Sequence, residues 1–332
     1  MLSVHYEWPT ISMLINYIIL AHKNPNQIIR LIKRLDYMNV SFYIHIDKSV
    51  DIIPYKNKLS LFNNVFFVEE NRRIKCIWGD VSIVKAIFEC MRLVKNISED
   101  GYTVLLSGQD YPLKSGKYIY DFLNRQSSNF MTYLPFPILN WGERGGYDKL
   151  DRYWFTLTNN GKKKAEIYPL SFSRKNIVNY FRIMIYSPSL LPKAISLFFK
   201  RREIPNHMEF YGGEAWWILR NSSICYILKF LSLHPDCMLS HEYSLTPDEE
   251  LYHSILCSNK SIRENTRNTT LKYINWKEGN QSPDIFNMDD FPLLKAKIDN
   301  MEDYLFARKF DIEKCSSILD KIDDYVDTMS IM

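Results

Sequence analysis

Apolar runs alternate with amphipathic stretches from residue 15 to residue 126, and this alternation restricts the chain to one class of fold. Runs such as INYIILA and YTVLLSG are continuously apolar, so they predict strands buried on both faces of a sheet. The stretches between them carry apolar residues at helical spacing. Strands alternating with helices favour an α/β fold, in which helices cover a parallel sheet. The predicted strands are 15–21, 40–47, 64–70 and 102–108, and the predicted helices are 24–38, 79–96 and 115–126.

The alternation weakens between residues 134 and 210 and resumes beyond them. The middle region carries a basic segment, GKKK, and an apolar stretch that two prolines interrupt. We find no internal repeat and no low-complexity tract, so a single domain with an irregular insertion is the expected organisation. The predicted elements of the last part are strands 214–220, 271–276 and 304–310, and helices 221–232, 247–257 and 311–328.

Composition narrows the classes of function. The chain has 332 residues with 42 basic and 38 acidic side chains, a balance that gives no indication of nucleic-acid binding. Its six cysteines are scattered without a C-x-x-C pair or a close Cys/His cluster. This distribution argues against a zinc site and against a disulfide framework, and it fits a reducing compartment.

No stretch reaches the roughly 18 uncharged apolar residues that a membrane span needs. The run ISMLINYIILA lacks a preceding basic region and contains Asn16, so it predicts a buried strand and not a signal peptide. We therefore expect a cytoplasmic protein. Segment 177–203 is apolar and ends in Lys200, Arg201 and Arg202, which is typical of a peripheral contact with the inner face of an anionic membrane. A loop and helix packed on the domain is the favoured alternative.

Polar side chains follow the predicted parallel strands, at the end of the sheet where ligands bind in open α/β folds. His22 follows the first strand, Asp47 and Lys48 follow the second, and the segment Ser107–Asp110 follows the fourth. We expect these residues to line a ligand site.

The chain has no G-x-x-x-x-G-K-[ST] loop, no G-x-G-x-x-G loop and no Asp-x-Asp pair. In many nucleotide-sugar enzymes an Asp-x-Asp pair holds the divalent metal on the diphosphate. A diphosphate bound here would therefore need Lys, Arg or backbone amides to meet its charge. Arg308 and Lys309, adjacent cations in the segment FARKF, are candidates, although a solvated pair on a strand edge would have the same sequence.

The segment LTPDEELYHSIL places three consecutive carboxylates at a predicted helix start. Thr246 as N-cap, Pro247 at the first helical position and Glu249 two residues later predict a capping box. A carboxylate fixed at a helix start would also be a well-aimed general base. We expect Asp248 to serve the cap or the helix dipole while Glu249 faces a cleft.

Eight segments in order resemble glycosyltransferase family 14, which contains the core-2/I-branching β-1,6-N-acetylglucosaminyltransferases and the peptide O-xylosyltransferases. The resemblance covers about residues 15–328 and is weakest between 134 and 205. It implies a GT-A-type fold, a Rossmann-like and mostly parallel sheet with helices on both faces. A member without an anchor would be bacterial. The segments are YIILAH, FYIHIDKS, IWGDVSIV, LLSGQDYPLKS, GGEAWWILR, TPDEELYHSIL, YINW and LFARKFD.

The family motifs imply a role for several residues of this chain. Glu249 matches the catalytic base, Lys309 the diphosphate ligand and Trp276 an acceptor-site tryptophan. A second diphosphate ligand, an arginine in the family, is matched here by Gln281, so Arg308 or Lys277 would have to replace it. The other expected donor-site residues are His22, Asp47, Trp78, Ser107, Gly108 and Asp110, and the other expected acceptor-site residues are Arg152 and Trp216.

The resemblance implies an inverting, metal-independent transfer of GlcNAc or xylose from a UDP-sugar to a hydroxyl of a glycan or lipid-linked saccharide. No metal or other cofactor is expected. The three parts of the single domain 1–332 would then be a nucleotide-binding half (12–133), an acceptor- or membrane-facing insertion (134–210) and a catalytic and acceptor half (211–330). The alternatives are an inactive carbohydrate- or nucleotide-binding module, which the departure at Gln281 supports, and a membrane-surface scaffold built on 177–203.

Overall fold

A computed structural model describes residues 13–94, 100–277, 282–300 and 304–331. The strands in this part of the chain are β1 (Leu14–Ala21), β2 (Val40–Ile46), β3 (Val65–Phe67), β4 (Gly101–Ser107), β5 (Asp110–Pro112), β6 (Asn129–Met131), β7 (Leu134–Pro135), β8 (Tyr153–Thr156), β9 (Lys164–Ile167), β10 (Tyr211–Gly212), β11 (Trp217–Arg220), β12 (Thr266–Arg267), β13 (Lys272–Ile274) and β14 (Phe306–Arg308).

The helices alternate with these strands through much of the chain. They are α1 (Pro25–Leu35), α2 (Ile53–Leu59), α3 (Val81–Leu93), α4 (Gly116–Asn124), α5 (Tyr147–Asp151), α6 (Arg174–Tyr186), α7 (Leu191–Phe198), α8 (Asn221–Leu233), α9 (Pro235–Ser240), α10 (Leu251–Ser258), α11 (Lys260–Glu264), α12 (Phe291–Asp299) and α13 (Ser317–Ile331).

A seven-stranded sheet forms the centre, in the order β12-β6-β11-β4-β1-β2-β3. Strands β4, β1, β2 and β3 are mutually parallel, as the alternation of strands and helices predicts. Strand β11 runs antiparallel to β4 and to β6, so the sheet is mostly and not entirely parallel. The predicted α/β class and the GT-A-like sheet with helices are confirmed.

Helices cover both faces of the sheet because its central strands are apolar on both sides. Tyr17 and Ile19 of β1 belong to a core that includes α1 and α13. Ile18, between them, points to the opposite face and joins a second core with α3, α8 and α10. Successive side chains of a strand point to opposite faces, so a continuously apolar strand feeds two cores at once.

The region 134–210 is more regular than its sequence indicates. The hairpin β8–β9 packs against α6 and α7 around a third core, which contains Phe155, Ile167, Ile183 and Leu197. Its elements are short, and their apolar residues face one another across the insertion, so no long periodic pattern marks them in the sequence. Within the described residues, no helix has both the length and the apolar content needed to cross a bilayer.

A small three-stranded sheet, in the order β13-β14-β5, lies beside the central sheet in the chain's topology and brings charged residues together. Strand β14 pairs parallel to β13 and antiparallel to β5, which sets Arg308 directly opposite Asp110. The strands come from distant parts of the sequence, so this pairing joins the end of β4 to the C-terminal part of the chain. Charged side chains of three segments therefore meet at one edge.

Candidate active site

The carboxyl ends of β1, β2 and β4 meet at one edge of the central sheet. The amide of Asp47 donates to the carbonyl of Ala21 (2.8 Å), and the amide of Gly108 donates to that of Leu20 (2.8 Å). The predicted donor residues at these strand ends are thereby brought together. They are His22, Asp47, Ser107, Gly108 and Asp110.

Asp47 is buried and fully engaged by its surroundings. Its carboxylate accepts from the amide and hydroxyl of Ser49 (2.8 and 2.5 Å) and from the amide of Cys76 (2.7 Å). Burial alone would raise the pKa of Asp47, but these hydrogen bonds outweigh it and lower the pKa. The carboxylate thus holds the loop that leads to Trp78, whose side chain is exposed.

A buried cluster of charges occupies the junction between the two sheets. Asp110, with no exposed surface, lies 2.6 Å from the ammonium of Lys272 and 2.9 Å from the guanidinium of Arg308. Ser107 donates to the same carboxylate through its amide (2.9 Å) and its hydroxyl (3.1 Å), and it also contacts Arg308. Burial would raise the pKa of Asp110, but the two cations lower it below its ordinary value.

The indole of Trp216 lies against both cations of this cluster. The ammonium of Lys272 is 3.7 Å from the ring centroid, and the guanidinium carbon of Arg308 is 4.7 Å from it. Burial lowers the pKa of Lys272 to about 8, with Asp110 opposing that shift. Trp216 was predicted for the acceptor site, and the structure sets it beside the predicted donor residues. The sequence analysis did not identify Lys272 as a site residue. The only sequence feature that could have indicated it is a single lysine in the apolar strand LKYINW.

Lys309 lies next in the chain, half-buried among other cations. Burial, Arg308 and Lys23 all lower the pKa of its ammonium, in that order, while Asp284 and Asp311 act in the opposite direction. Its carbonyl accepts from the amide of Phe286 (3.0 Å), which fixes the backbone. An ammonium that is destabilised by neighbouring cations gains from an added anion, so this position suits a phosphate.

The carboxylate segment differs from its prediction. Pro247–Glu249 form a 3-10 turn, and α10 begins only at Leu251. Thr246 adopts a left-handed conformation (φ 48°) and makes no side-chain cap, so the predicted capping box is wrong. Its hydroxyl instead accepts from the ammonium of Lys149 (2.8 Å), and its amide donates to the carbonyl of Gly79 (3.2 Å). Tertiary partners of Thr246 have replaced the local cap.

Glu249 is the most accessible carboxylate of this turn. Its Oε2 accepts from the ammonium of Lys149 at 3.1 Å, and about a third of its side chain is exposed (34%). Lys149 itself lies 3.7 Å from the ring centroid of Trp141, which leaves only 12% of its side chain exposed. The lysine comes from α5 and was missed, because nothing in KLDRYWF distinguishes it from a solvated lysine.

Asp248 makes no cap hydrogen bond, so its predicted role at the cap is wrong, while its role at the helix dipole stays a prediction. Its Oδ1 is buried without a hydrogen-bond partner. Burial, and then the adjacent Glu249, raise the pKa of Asp248 to about 7, while Lys149 and Lys164 oppose the shift. Asp248 is therefore protonated below neutral pH, where an ordinary aspartate is ionised.

A four-residue segment, Gly213–Trp216, joins the carboxylate turn to the cation cluster. The amide of Gly213 donates to the carbonyl of Glu249 (2.9 Å), and the other end of the segment is the Trp216 ring on Arg308. A Cβ at Gly213 would come within 2.1 Å of the carbonyl oxygen of Thr132, so only glycine allows this approach. One short piece of backbone thus connects the carboxylate turn to the cation cluster.

The predicted acceptor residues have different surroundings. Arg152 is buried and paired with Glu166 (2.8 Å) and Glu143 (2.6 Å), whereas Trp276 is exposed (56%) at the end of β13. Gln281 lies outside the described residues. Of its two predicted substitutes, Arg308 lies beside Lys309, while Lys277 pairs with Asp284 (3.0 Å).

One group of potential metal ligands occurs in the part of the chain that the structure describes, and it lies near the α8–α9 junction. Nε2 of His207 contacts a carboxylate oxygen of Asp236 at 2.8 Å. The rings of His207 and His234 stack with centroids 4.4 Å apart, and the potential ligand atoms of the three residues lie within 4.8 Å of one another. This group does not contribute to the site described above.

The sheet, the cations at its edge and the carboxylate turn define a GT-A-like glycosyltransferase architecture. The chain belongs to the core-2/I-branching enzyme family, glycosyltransferase family 14, whose model matches residues 15–296. The predicted family is confirmed.

Similar proteins carry transferase names. Xylosyltransferase oxt of Drosophila pseudoobscura pseudoobscura is 23% identical over an alignment of 307 positions that covers 86% of this chain and 30% of that protein. Human xylosyltransferase 1 is 21% identical over an alignment of 348 positions, gaps included, that covers 98% of this chain and 31% of that protein. Beta-glucuronosyltransferase GlcAT14A of Arabidopsis thaliana is 31% identical over 146 residues, 42% of this chain and 31% of its length. The chain thus spans about a third of each of these relatives.

Proposed function

We propose that this chain is an inverting, metal-independent glycosyltransferase that moves a sugar from a UDP-sugar to a hydroxyl group. One observation carries the proposal: the backbone of Glu249 is tied through Gly213–Trp216 to the cations Arg308 and Lys309. An inverting transfer needs a base for the attacking hydroxyl and positive charge for the departing diphosphate, and the chain supplies both on one short connection.

Glu249 is the proposed base. It is the accessible member of the carboxylate pair, and Lys149 holds its Oε2. Below neutral pH the neighbouring Asp248, with its pKa near 7, carries a proton for much of the time. Glu249 takes the proton of the acceptor hydroxyl as the new C–O bond forms. The C–O bond to UDP breaks on the opposite side of the sugar.

Lys309 and Arg308 are the proposed diphosphate ligands. Charge on the β-phosphate increases as the bond to the sugar breaks, and fixed cations stabilise that charge without a metal. Arg308 is tied to Asp110 and lies on Trp216, so it is oriented before a ligand arrives. Lys309 is held by its backbone and repelled by neighbouring cations, which favours its pairing with an anion.

UDP-xylose is the donor we propose to test first, since the relatives that match most of this chain are named xylosyltransferases. UDP-GlcNAc is the second donor, because the family model is that of core-2/I-branching enzymes. The acceptor is proposed to be a glycan or lipid-linked saccharide that lies near Trp276. A donor that binds only the folded protein raises the melting temperature with its occupancy, so thermal shift against each UDP-sugar ranks them.

The test of the reaction is UDP release with a mixture of saccharide acceptors, in the presence and absence of excess EDTA. We expect the same turnover in both. A protein that binds UDP-sugars but releases no UDP with any acceptor would instead be the inactive module of this fold. A strict requirement for Mn²⁺ would exclude the metal-independent mechanism.

A further inference from the structure

The inward face of helix α6 is partly polar. Its buried side chains are Asn176, Asn179 and Ile183. Asn176 donates to the carbonyls of Tyr168 and Ser171 (2.7 Å each), and Asn179 donates to that of Glu166 (2.8 Å). These asparagines anchor the helix to β9 and the loop after it, and Ile183 packs in the third core. Most of the large apolar side chains of α6 are therefore left for water or another partner.

The outward face of α6 and α7 exposes many large apolar side chains. Phe181 is 56% exposed and Ile185 is 68% exposed, and Phe199, just beyond α7, is 67% exposed. Single exposed apolar side chains need no explanation, but a contiguous patch of them on one element marks an interaction surface. We call this the α6–α7 face. Its exposed large apolar residues are Phe172, Ile177, Val178, Phe181, Met184, Ile185, Tyr186, Ile195 and Phe199.

The charges within the α6–α7 segment have a single sign, and the two carboxylates that lie against it, Glu143 and Glu166, are paired with Lys175 and Arg152. From residue 167 to residue 202 the sequence contains seven lysines and arginines and no carboxylate. Arg202 turns inward, where its guanidinium donates to the carbonyl of Tyr243 (2.9 Å) and to the hydroxyl of Ser244 (2.7 Å). The remaining cations border the apolar side chains. They are Arg174, Lys175, Arg182, Lys193, Lys200 and Arg201.

A pocket of about 440 Å³ opens beside this face, between α6 and the hairpin β8–β9. Its lining includes Lys164, Arg174 and Arg182, together with Glu166 and Lys175. Glu166 is already neutralised, because it pairs with Arg152 (2.8 Å) and with Lys175 (2.5 Å). Lys164 donates to the hydroxyl of Thr156 (3.0 Å), so Arg174 and Arg182 remain for an anion in a pocket that adjoins Val178 of the apolar face.

We propose that the α6–α7 face docks on an anionic phospholipid bilayer, with its apolar side chains among the upper acyl chains and a lipid phosphate in the adjoining pocket. An apolar stripe bordered by lysines and arginines is the pattern of interfacial helices. The basic border draws the face to anionic headgroups. A second copy of this chain is a poorer occupant, since it would bring an equally positive border to the same contact. The inference does not depend on transferase activity.

The experiment is flotation of the purified chain with vesicles of equal parts phosphatidylglycerol and phosphatidylcholine, and with vesicles of phosphatidylcholine alone. We expect the wild type to float with the anionic vesicles and to float much less with the neutral ones. Phe181→Ser/Ile185→Ser should lower the partition coefficient by about tenfold or more for each side chain. The matched control is Leu61→Ser/Leu239→Ser, which removes two apolar side chains that are at least as exposed from other surfaces and should leave partition unchanged.

A second pair of variants tests the charge. Arg174→Ser/Arg182→Ser should weaken binding to anionic vesicles by roughly fivefold for each cation, and added salt should shrink the difference. Lys117→Ser/Lys260→Ser, at exposed cations of α4 and α11, is the control and should float as the wild type does. Thermal unfolding in the absence of lipid checks that all four variants are folded.

Three results would overturn the inference. The first is a wild type that fails to float with anionic vesicles, and the second is a Phe181→Ser/Ile185→Ser variant that floats as well as the wild type does. The third is a dimer in light scattering that becomes a monomer in the same variant while vesicle binding is absent. That outcome would assign the face to a second copy of the chain.

Discussion

The ammonium of Lys149 lies 3.1 Å from Oε2 of Glu249, although 100 residues separate them in the sequence. Lys149 belongs to α5, in the insertion whose sequence gave the fewest structural signals. The insertion therefore does more than surround the site: it contributes a charged contact to the proposed base. The same lysine reaches the hydroxyl of Thr246 (2.8 Å), so it ties the whole carboxylate turn to α5.

Replacing the proposed base should stop transfer without stopping donor binding. Glu249→Gln keeps the size and the main-chain contact to Gly213 but cannot accept a proton. We expect turnover to fall by about 10²–10⁴-fold, the usual contribution of a general base, with an unchanged dissociation constant for UDP by calorimetry. Glu264→Gln, on an exposed side chain of α11, should retain full activity. Near wild-type turnover in Glu249→Gln would remove Glu249 from the mechanism.

Removing the Lys149 charge should move the pH profile toward alkaline pH. Lys149 lowers the pKa of Asp248, so Lys149→Met raises that pKa further above 7 while keeping an apolar stem on Trp141. If the carboxylate pair controls activity, the rising limb of kcat/KM against pH should shift upward by about one unit. Lys162→Met, at an exposed lysine, is the control. An unchanged limb would show that Lys149 has only a packing role.

Asp248 should cost stability at alkaline pH. Its folded-state pKa, about 7, lies above the ordinary value of 3.8, so the folded protein holds the proton more tightly than the unfolded chain does. Stability is therefore complete below pH 3.8 and is lost as the pH rises toward 7. At pH 8 the free energy of unfolding of Asp248→Asn should exceed that of the wild type by on the order of 2 kcal/mol, and the difference should vanish by pH 4. Urea denaturation at both values measures it, and equal differences at both would refute the assignment.

Breaking the buried charge cluster should destabilise the fold. Asp110→Asn leaves Lys272, which is 2% exposed, without its carboxylate. Loss of one partner from a buried ion pair costs about 3–5 kcal/mol, and urea denaturation near neutral pH should show a loss of that size. Asp121→Asn, which breaks the exposed pair with Lys117, should cost less than about 1 kcal/mol. Because the pKa of Asp110 is lowered, the wild type keeps this stabilisation above pH 3.8 and loses it as the pH falls through the folded-state pKa.

Lys309 should stabilise the leaving diphosphate directly, without a metal ion. Lys309→Met removes the ammonium and retains the stem, and we expect turnover to fall by about 10²–10³-fold. Added Mn²⁺ should not restore it, and EDTA should not lower it further. Lys314→Met, five residues along the chain, is the control. Rescue by Mn²⁺ would indicate that a metal can occupy the position of the ammonium, and that the site is not built for cationic side chains alone.

The central sheet was readable from the sequence because its strands are buried on both faces. The runs that became β1, β2 and β4 are predominantly apolar, and the intervening helix α1 carries a clear apolar stripe. The capping box was misread for a physical reason. Its sequence is correct, but Thr246 takes a left-handed conformation and binds Lys149 and Gly79, so tertiary contacts displaced the local one.

The candidate site was only partly predictable. Glu249 and Lys309 were found through the order of family motifs, and their roles stay predictions. Lys149 and Lys272 were not found, because each acts through a partner about 100 to 160 residues away. A lysine on a short helix or in a strand has no local pattern that separates a solvated ammonium from a buried one. Only the pairing of β13, β14 and β5 brings Lys272 to Asp110.

The segment from Gly213 to Trp216 limits the distance between the carboxylate turn and the cation cluster. Three virtual bonds separate its end Cα atoms, so they can lie no more than about 11 Å apart however the backbone is bent. That length is on the scale of a sugar with its diphosphate, and in the proposed reaction it would limit how far the attacking and departing ends of the substrate can be separated. One residue added to this segment would increase its maximum length by about 3.5 Å. That increase is enough to prevent an in-line displacement, although every charged group stays in the protein.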